Sequence, residues 1–177
     1  MAEFHFRLVF RLPEGGTDGE QWLSALAEQG CDDALVGIGV MGRIGLDFTR
    51  EADSAREAVL SAIDDVRRAI PGAQLGEVAP DLVGLTDMAT LLGVSRQYMR
   101  KLLVNRRAHS PAPVYESATA LWHLDVMLRW LREQNLRAVP APLLELAEVT
   151  RQCNLQREMR ALNPAFQSHW QARHRQN

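Results

Sequence analysis

The stretch Leu85–Leu103, "LTDMATLLGVSRQYMRKLL", decides how the rest of the chain is read. It holds two short helical patterns separated by Gly93-Val94. Thr86 can cap a first helix, Asp87–Leu92, with Met88, Leu91 and Leu92 facing inward. Gly93 supplies the permissive φ of a tight turn, and Val94 can pin that turn to a core. Ser95 can then cap a second helix, from Arg96 to about Leu103, by accepting from a first-turn amide. On that helix Tyr98 or Met99, Leu102 and Leu103 can face the core. Arg96, Gln97, Arg100 and Lys101 share the outward surface through their i, i+1 and i+4 spacing. This is the layout of a helix-turn-helix, whose second helix presents its N-terminal residues to base edges in the major groove.

The residue types suit that task. Arginine pairs bidentately with guanine and glutamine with adenine. The first-turn amides of the second helix, with Ser95, suit a phosphate. Arg106 and Arg107 follow where the chain would leave the helix, over the neighbouring backbone. Charge is distributed to match. Residues 1–93 carry 7 Lys/Arg against 16 Asp/Glu, residues 94–137 carry 8 against 3, and residues 138–177 carry 5 against 3. The net charge of −2 therefore hides a basic segment able to attract a polyanion.

Residues 82–133 resemble the winged helix-turn-helix of the excisionase, AlpA and MerR-like DNA-binding proteins. The matching pieces are "LTDMATLLGVS", "SPAPVY", "ALW" and "DVMLRWL", about a third of the chain. The resemblance implies double-stranded DNA as partner. It implies Thr86, Ser95, Arg96, Gln97, Tyr98, Arg100, Lys101, Arg106 and Arg107 as the contacting residues. It leaves open a transcriptional regulator, repressor-like, or an excisionase-like architectural factor that bends DNA. Nothing in the segment matches the effector or metal sites of MerR-type proteins.

Upstream, "EFHFRLVFRLP" alternates Phe4, Phe6, Leu8, Phe10 and Leu12 with polar residues, the pattern of a half-buried strand. A helix with Trp22, Leu23, Leu26 and Ala27 on one face follows. Two short strands, Ala34–Val40 and Arg43–Phe48, turn at Met41-Gly42. Asp53 or Ser54 caps a helix with the stripe Ala58, Val59, Ala62, Ile63, Val66 and Ile70. "AQLGEVAPDLV" supplies a fourth strand. The order βαββαβ over residues 1–80 is that of a ferredoxin-like α+β domain, a module for dimerisation or sensing. Residues 81–137 form the winged domain, with a hairpin through Val114-Tyr115 and Leu121-Trp122 and a helix from Leu124. In residues 138–177 a last helix with Leu143, Leu146, Val149, Cys153 and Leu155 or Gln156 near one side precedes a polar tail after Asn163-Pro164.

Other chemistries find little here. His5, His109, His123, His169 and His174 are scattered without ligand spacing, so neither a metal nor another cofactor is expected. Cys31-Asp32-Asp33 reads as a turn, because neighbouring carboxylates make a thiol less reactive. Asp64-Asp65 and Arg67-Arg68 read as the wet face of a helix, and Trp122 and Trp130 as core. "GVMGRIG" lies between strands, which excludes a phosphate loop. No catalytic set can be assembled, so an enzyme is not expected. No apolar run reaches the roughly 20 residues of a membrane span. The early acid and alternation of "MAEFHFRLVF" do not form a signal peptide, and two cysteines fit a reducing cytoplasm. A homodimer, joined through the N-terminal sheet or through Leu143, Leu146 and Val149, is expected because one recognition helix covers few base pairs. A small-molecule effector of the N-terminal half is compatible with this reading.

Overall fold

The alternating phenylalanines of the first segment build the strand on which the larger sheet is assembled. In the computed structural model, which describes residues 1–106 and 109–174, that strand is β1 (Ala2–Arg11). It is followed by α1 (Leu23–Glu28), β2 (Ala34–Gly37), β3 (Arg43–Ala52), α2 (Ala55–Ala69) and β4 (Gln74–Ala79). The sheet order is β2-β3-β1-β4, with every neighbouring pair antiparallel. Period-two geometry sends Phe4, Phe6, Leu8 and Phe10 to one face, where they are buried with Ile44, Leu46 and Phe48 of β3. Phe6 lies directly opposite Phe48, their rings stacked at 5.2 Å. Such a cross-strand pair contributes about 0.2–1 kcal/mol relative to a pair of alanines. The other face carries His5, Arg7, Asp47 and Thr49, tied by cross-strand polar contacts.

Helix α2 covers the apolar face with the stripe its periodicity announces. Ala58, Val59, Ala62, Ile63, Val66 and Ile70 are all buried, and the Ser54 hydroxyl accepts from Glu57 N at 3.1 Å as N-cap. Helix α1 is shorter than its sequence pattern. Leu26 is buried and Trp22 partly so, but Leu23 and Ala27 face solvent, because a 3-10 turn, Gly19–Trp22, takes up the preceding residues. Strand β2 stops at Gly37 and β3 runs on to Ala52, matching the full length of β1.

One residue of the presumed wet face of α2 turns inward. Asp65 joins Asp33 around the buried Arg50, whose Nε and Nη1 donate to Asp33 Oδ2 at 2.7 Å and Asp65 Oδ2 at 2.8 Å. Arg50 Nη2 also donates to the Gly30 carbonyl at 2.7 Å, and its guanidinium lies 4.9 Å from the Phe48 ring centroid. Cys31 is buried beside this cluster. Desolvation, then Asp65, pushes its thiol from an ordinary 9.0 up to about 11. The unfolded chain releases that proton near 9 and the folded one holds it to about 11, so the folded state binds more protons between them. Stability should therefore fall as pH rises through that window, by about 2–3 kcal/mol in all. Denaturation of the protein and of Cys31→Ala between pH 8 and 11 checks this. Equal pH slopes in the two proteins would remove the thiol from the account.

The segment read as a fourth strand splits between two sheets. After β4 the chain turns at Pro80-Asp81 and β5 (Leu82–Val83) pairs elsewhere. Next come α3 (Leu85–Leu92), α4 (Arg96–Asn105), β6 (Tyr115–Glu116), β7 (Ala120–His123) and α5 (Leu124–Glu133). The small sheet has the order β5-β7-β6. A second core gathers Met88, Leu92, Met99, Trp122, Leu124, Met127, Leu128, Trp130 and Leu131.

Helix α6 (Ala141–Met159) joins the two cores. Leu146 is buried in the first, Leu144 and Ala147 in the second. Its polar residues bind backbone that strands leave unpaired. Asn154 Oδ1 accepts from Val78 N at 3.0 Å, and its Nδ2 donates to Val78 O at 2.7 Å and to Asp81 Oδ2 at 2.8 Å. One carboxamide thus completes the ladder at that point of the β4 edge, where two unpaired backbone groups would each cost about 1–3 kcal/mol. Glu145 accepts from Ala55 N at the start of α2 at 2.8 Å, and Asp125 of α5 is paired with Arg151 at 3.0 Å. Leu146 is consequently closed within its own chain, and Leu143 and Val149 are half-buried, which withdraws Leu146 as a dimer contact. Leu155 stands exposed. The residues read as a polar tail form α7 (Pro164–His174). Asn163 Oδ1 caps it, accepting from Ala165 N and Phe166 N at 2.9 and 3.2 Å. Proline at the first helical position starts a helix as readily as it ends one.

Candidate nucleic-acid interface

The geometry of the exposed basic face begins at a turn. Gly93 adopts φ 62°, ψ 40°, the left-handed region that a Cβ disfavours. Its amide donates to Thr90 O and that of Val94 to Ala89 O at 2.9 Å, closing α3. Arg137 Nη2 caps the same end, donating to Leu92 O at 2.7 Å. Ser95 then starts α4, its hydroxyl accepting from Tyr98 N at 3.1 Å.

At its other end α3 begins earlier than expected, with its cap two residues before Thr86. Gly84 occupies the N-cap, and because it lacks a side chain, Asp87 Oδ2 accepts from Gly84 N at 2.9 Å. Thr86 lies inside the helix and exposed, with its carbonyl accepting from Thr90 Oγ1 at 3.0 Å. It is not the cap. Leu91 is also turned out, 37% exposed. It lines a recess with His5, Arg7, Asp47 and Thr49 on the polar face of the larger sheet. Helix position alone could not show that an exposed leucine would find that neighbour.

On α4, Met99 is fully buried and Leu102 and Leu103 are half-buried. Tyr98 is 37% exposed, which resolves the choice between Tyr98 and Met99 in favour of the methionine. Arg96, Gln97, Arg100 and Lys101 are all exposed. Arg96 and Arg100, and Gln97 and Lys101, are i,i+4 pairs with Cβ atoms about 5–6 Å apart. Arg106 is exposed at the C-cap, where its carbonyl accepts from His109 N at 2.8 Å and Ser110 N at 2.9 Å. Arg107 lies outside the described residues. Among the described residues, Arg96, Arg100, Lys101 and Arg106 pair with no carboxylate, so their donors are open to an external acceptor. The hairpin β6–β7 is anchored by Val114 N donating to Leu121 O at 2.7 Å and Trp122 Nε1 to Pro111 O at 3.0 Å. Ser117 and Thr119 are exposed at its tip, and the Thr119 methyl lies beside Gly84 at the start of α3.

No group of three or more His, Cys, Asp and Glu able to hold a metal occurs among the described residues. No helix among them is long and apolar enough to cross a membrane. Compared with protein-family models, curated proteins and solved structures, the chain matches none.

Proposed function

We propose that this protein is a cytoplasmic, sequence-specific double-stranded DNA-binding regulator, repressor-like and without catalytic activity. In this reading β5–α3–α4–β6–β7–α5 is a winged helix-turn-helix with α4 as recognition helix. The antiparallel β2-β3-β1-β4 sheet with α1 and α2 is a ferredoxin-like domain that assembles the dimer. The observation that carries the reading is the division of α4. Met99 anchors it to the core while Arg96, Gln97, Arg100 and Lys101 stand together in solvent, without acidic partners among the described residues. A polar face of this composition has the donors for guanine and adenine edges, and the capped N-terminus of α4 offers amides to phosphate. Two such helices in a dimer would read half-sites about 34 Å apart.

Arg100→Ala should weaken binding to the cognate site by about 1–3 kcal/mol and leave random-sequence binding less affected. Fluorescence anisotropy against the DNA flanking the gene and against random DNA, across a salt series, measures both. Equal losses on the two DNAs would make Arg100 a phosphate contact. Absence of binding to any duplex at low salt would refute the DNA reading. Lys101 is the only lysine in the chain, so protection of its amine from acylation by bound DNA reports contact at that one residue.

A further inference from the structure

Between α2 and α6, beside the start of β4, lies a groove of about 750 Å³. Its floor includes Leu60, Val149 and Cys153, and Leu60 is 46% exposed in a helix whose other apolar residues are buried. Its rim is cationic. Arg56, Arg67, Arg157 and Arg160 face it, against Asp64 and Glu148. Glu148 is engaged by Arg129 at 2.9 Å. Among the described residues Arg56, Arg67 and Arg160 have no carboxylate partner. Arg157 Nη2 is paired with Glu158 at 3.0 Å, while its Nε is shut off from solvent with no hydrogen-bond acceptor. An apolar floor bounded by a few convergent charged donors, at this volume, is the make-up of a small-molecule site.

We infer that this groove binds an amphipathic organic anion, an apolar chain or ring system bearing a carboxylate or phosphate. The apolar body covers Leu60, Val149 and Cys153, and the anionic head meets the arginine rim, where bidentate guanidinium pairing is strongest. A second copy's α7 fits less well. It offers Phe166 and Trp170, but its charged residues are Arg173 and histidines, which the rim repels.

Cys153 is the reporter. It sits half-buried in the groove, whereas Cys31 is closed in the core. Decanoate and decyl phosphate should slow alkylation of Cys153 by iodoacetamide at least severalfold and raise Tm, while decyltrimethylammonium should do neither. Each methylene removed from decanoate should weaken binding about two- to fourfold. The double variant Arg67→Ala/Arg160→Ala, both residues exposed, should weaken decanoate binding about tenfold while retaining the fold by circular dichroism. No protection by either anion at millimolar concentration would overturn the site. So would equal protection by the cation, or slowing of Cys153 only at protein concentrations where the chain self-associates. None of these measurements needs DNA, so their failure is separate from failure of the DNA reading.

Discussion

Arg50→Ala should lower the unfolding free energy by about 3–5 kcal/mol, the cost of removing one partner from a buried ion pair. Arg50 is 9% exposed and its side chain holds Asp33 at 2.7 Å, Asp65 at 2.8 Å, Ser61 Oγ at 3.0 Å and the Gly30 carbonyl at 2.7 Å. Burial is the largest single effect on its guanidinium and favours the neutral form. The hydrogen bonds it donates to Asp33 and Asp65 and the attraction of their charges together outweigh burial and hold the group protonated more firmly than usual. Truncation leaves two carboxylates facing each other without a cation and strands a carbonyl, and Arg68 can reach only Asp65. The penalty therefore comes mainly from the acids left behind. Arg50→Met combined with Asp33→Ala and Asp65→Ala should recover much of the loss, since a buried ion cluster replaced by apolar groups is often neutral. Urea denaturation of the single and triple variants checks both statements. A loss under 1 kcal/mol for Arg50→Ala would mean that water enters the cluster readily.

Met99→Ala should cost about 2–5 kcal/mol and remove the proposed DNA binding at temperatures where the remaining fold persists. Met99 is the single fully buried residue of α4, packed into the core that holds Met88 and Leu92 of α3. Leu102 and Leu103 are only half-buried and cannot hold the helix in register alone. Loss of the anchor thus acts twice, through the cavity and through the angle at which the basic face is presented. Hydrogen exchange would separate the two effects. Amides of α4 should lose protection before those of β1 and β3. Uniform loss across both sheets would show that the two cores unfold as one unit through α6.

Much of the fold was legible because its signals are local. Period-two phenylalanines define β1, the 3.6-residue stripe and Ser54 define α2, and Gly93 with Ser95 mark the turn between α3 and α4. The exposed candidates Arg96, Gln97, Arg100 and Lys101 were legible for the same reason. Once Met99 faces inward, helical geometry puts them outside. Errors arose where a residue's environment is set by distant chain. Thr86 resembled a cap, but β5 ends at Val83 and lets the helix begin at Leu85. Asp65 resembled a surface acid, yet Arg50 lies fifteen residues upstream on β3. Asn163-Pro164 has the composition of a stop and serves as a start.

The amino-acid order by itself determined β1, β3 and α2 with their inward faces, the turn between α3 and α4, and the basic face of α4. Apolar periodicity and capping chemistry act within a few residues and need no partner to be read. Only the tertiary structure decided what α6 does. Its apolar residues form no single stripe because Leu146 enters one core while Leu144 and Ala147 enter the other. A periodicity that serves two surfaces at once cancels in the sequence. Asn154 reaches Val78 across 76 positions, and Arg50 gathers acids from a turn and a helix. Such contacts exist only after the chain has closed, because burial makes unpaired polar groups costly and then selects the partner that happens to be near.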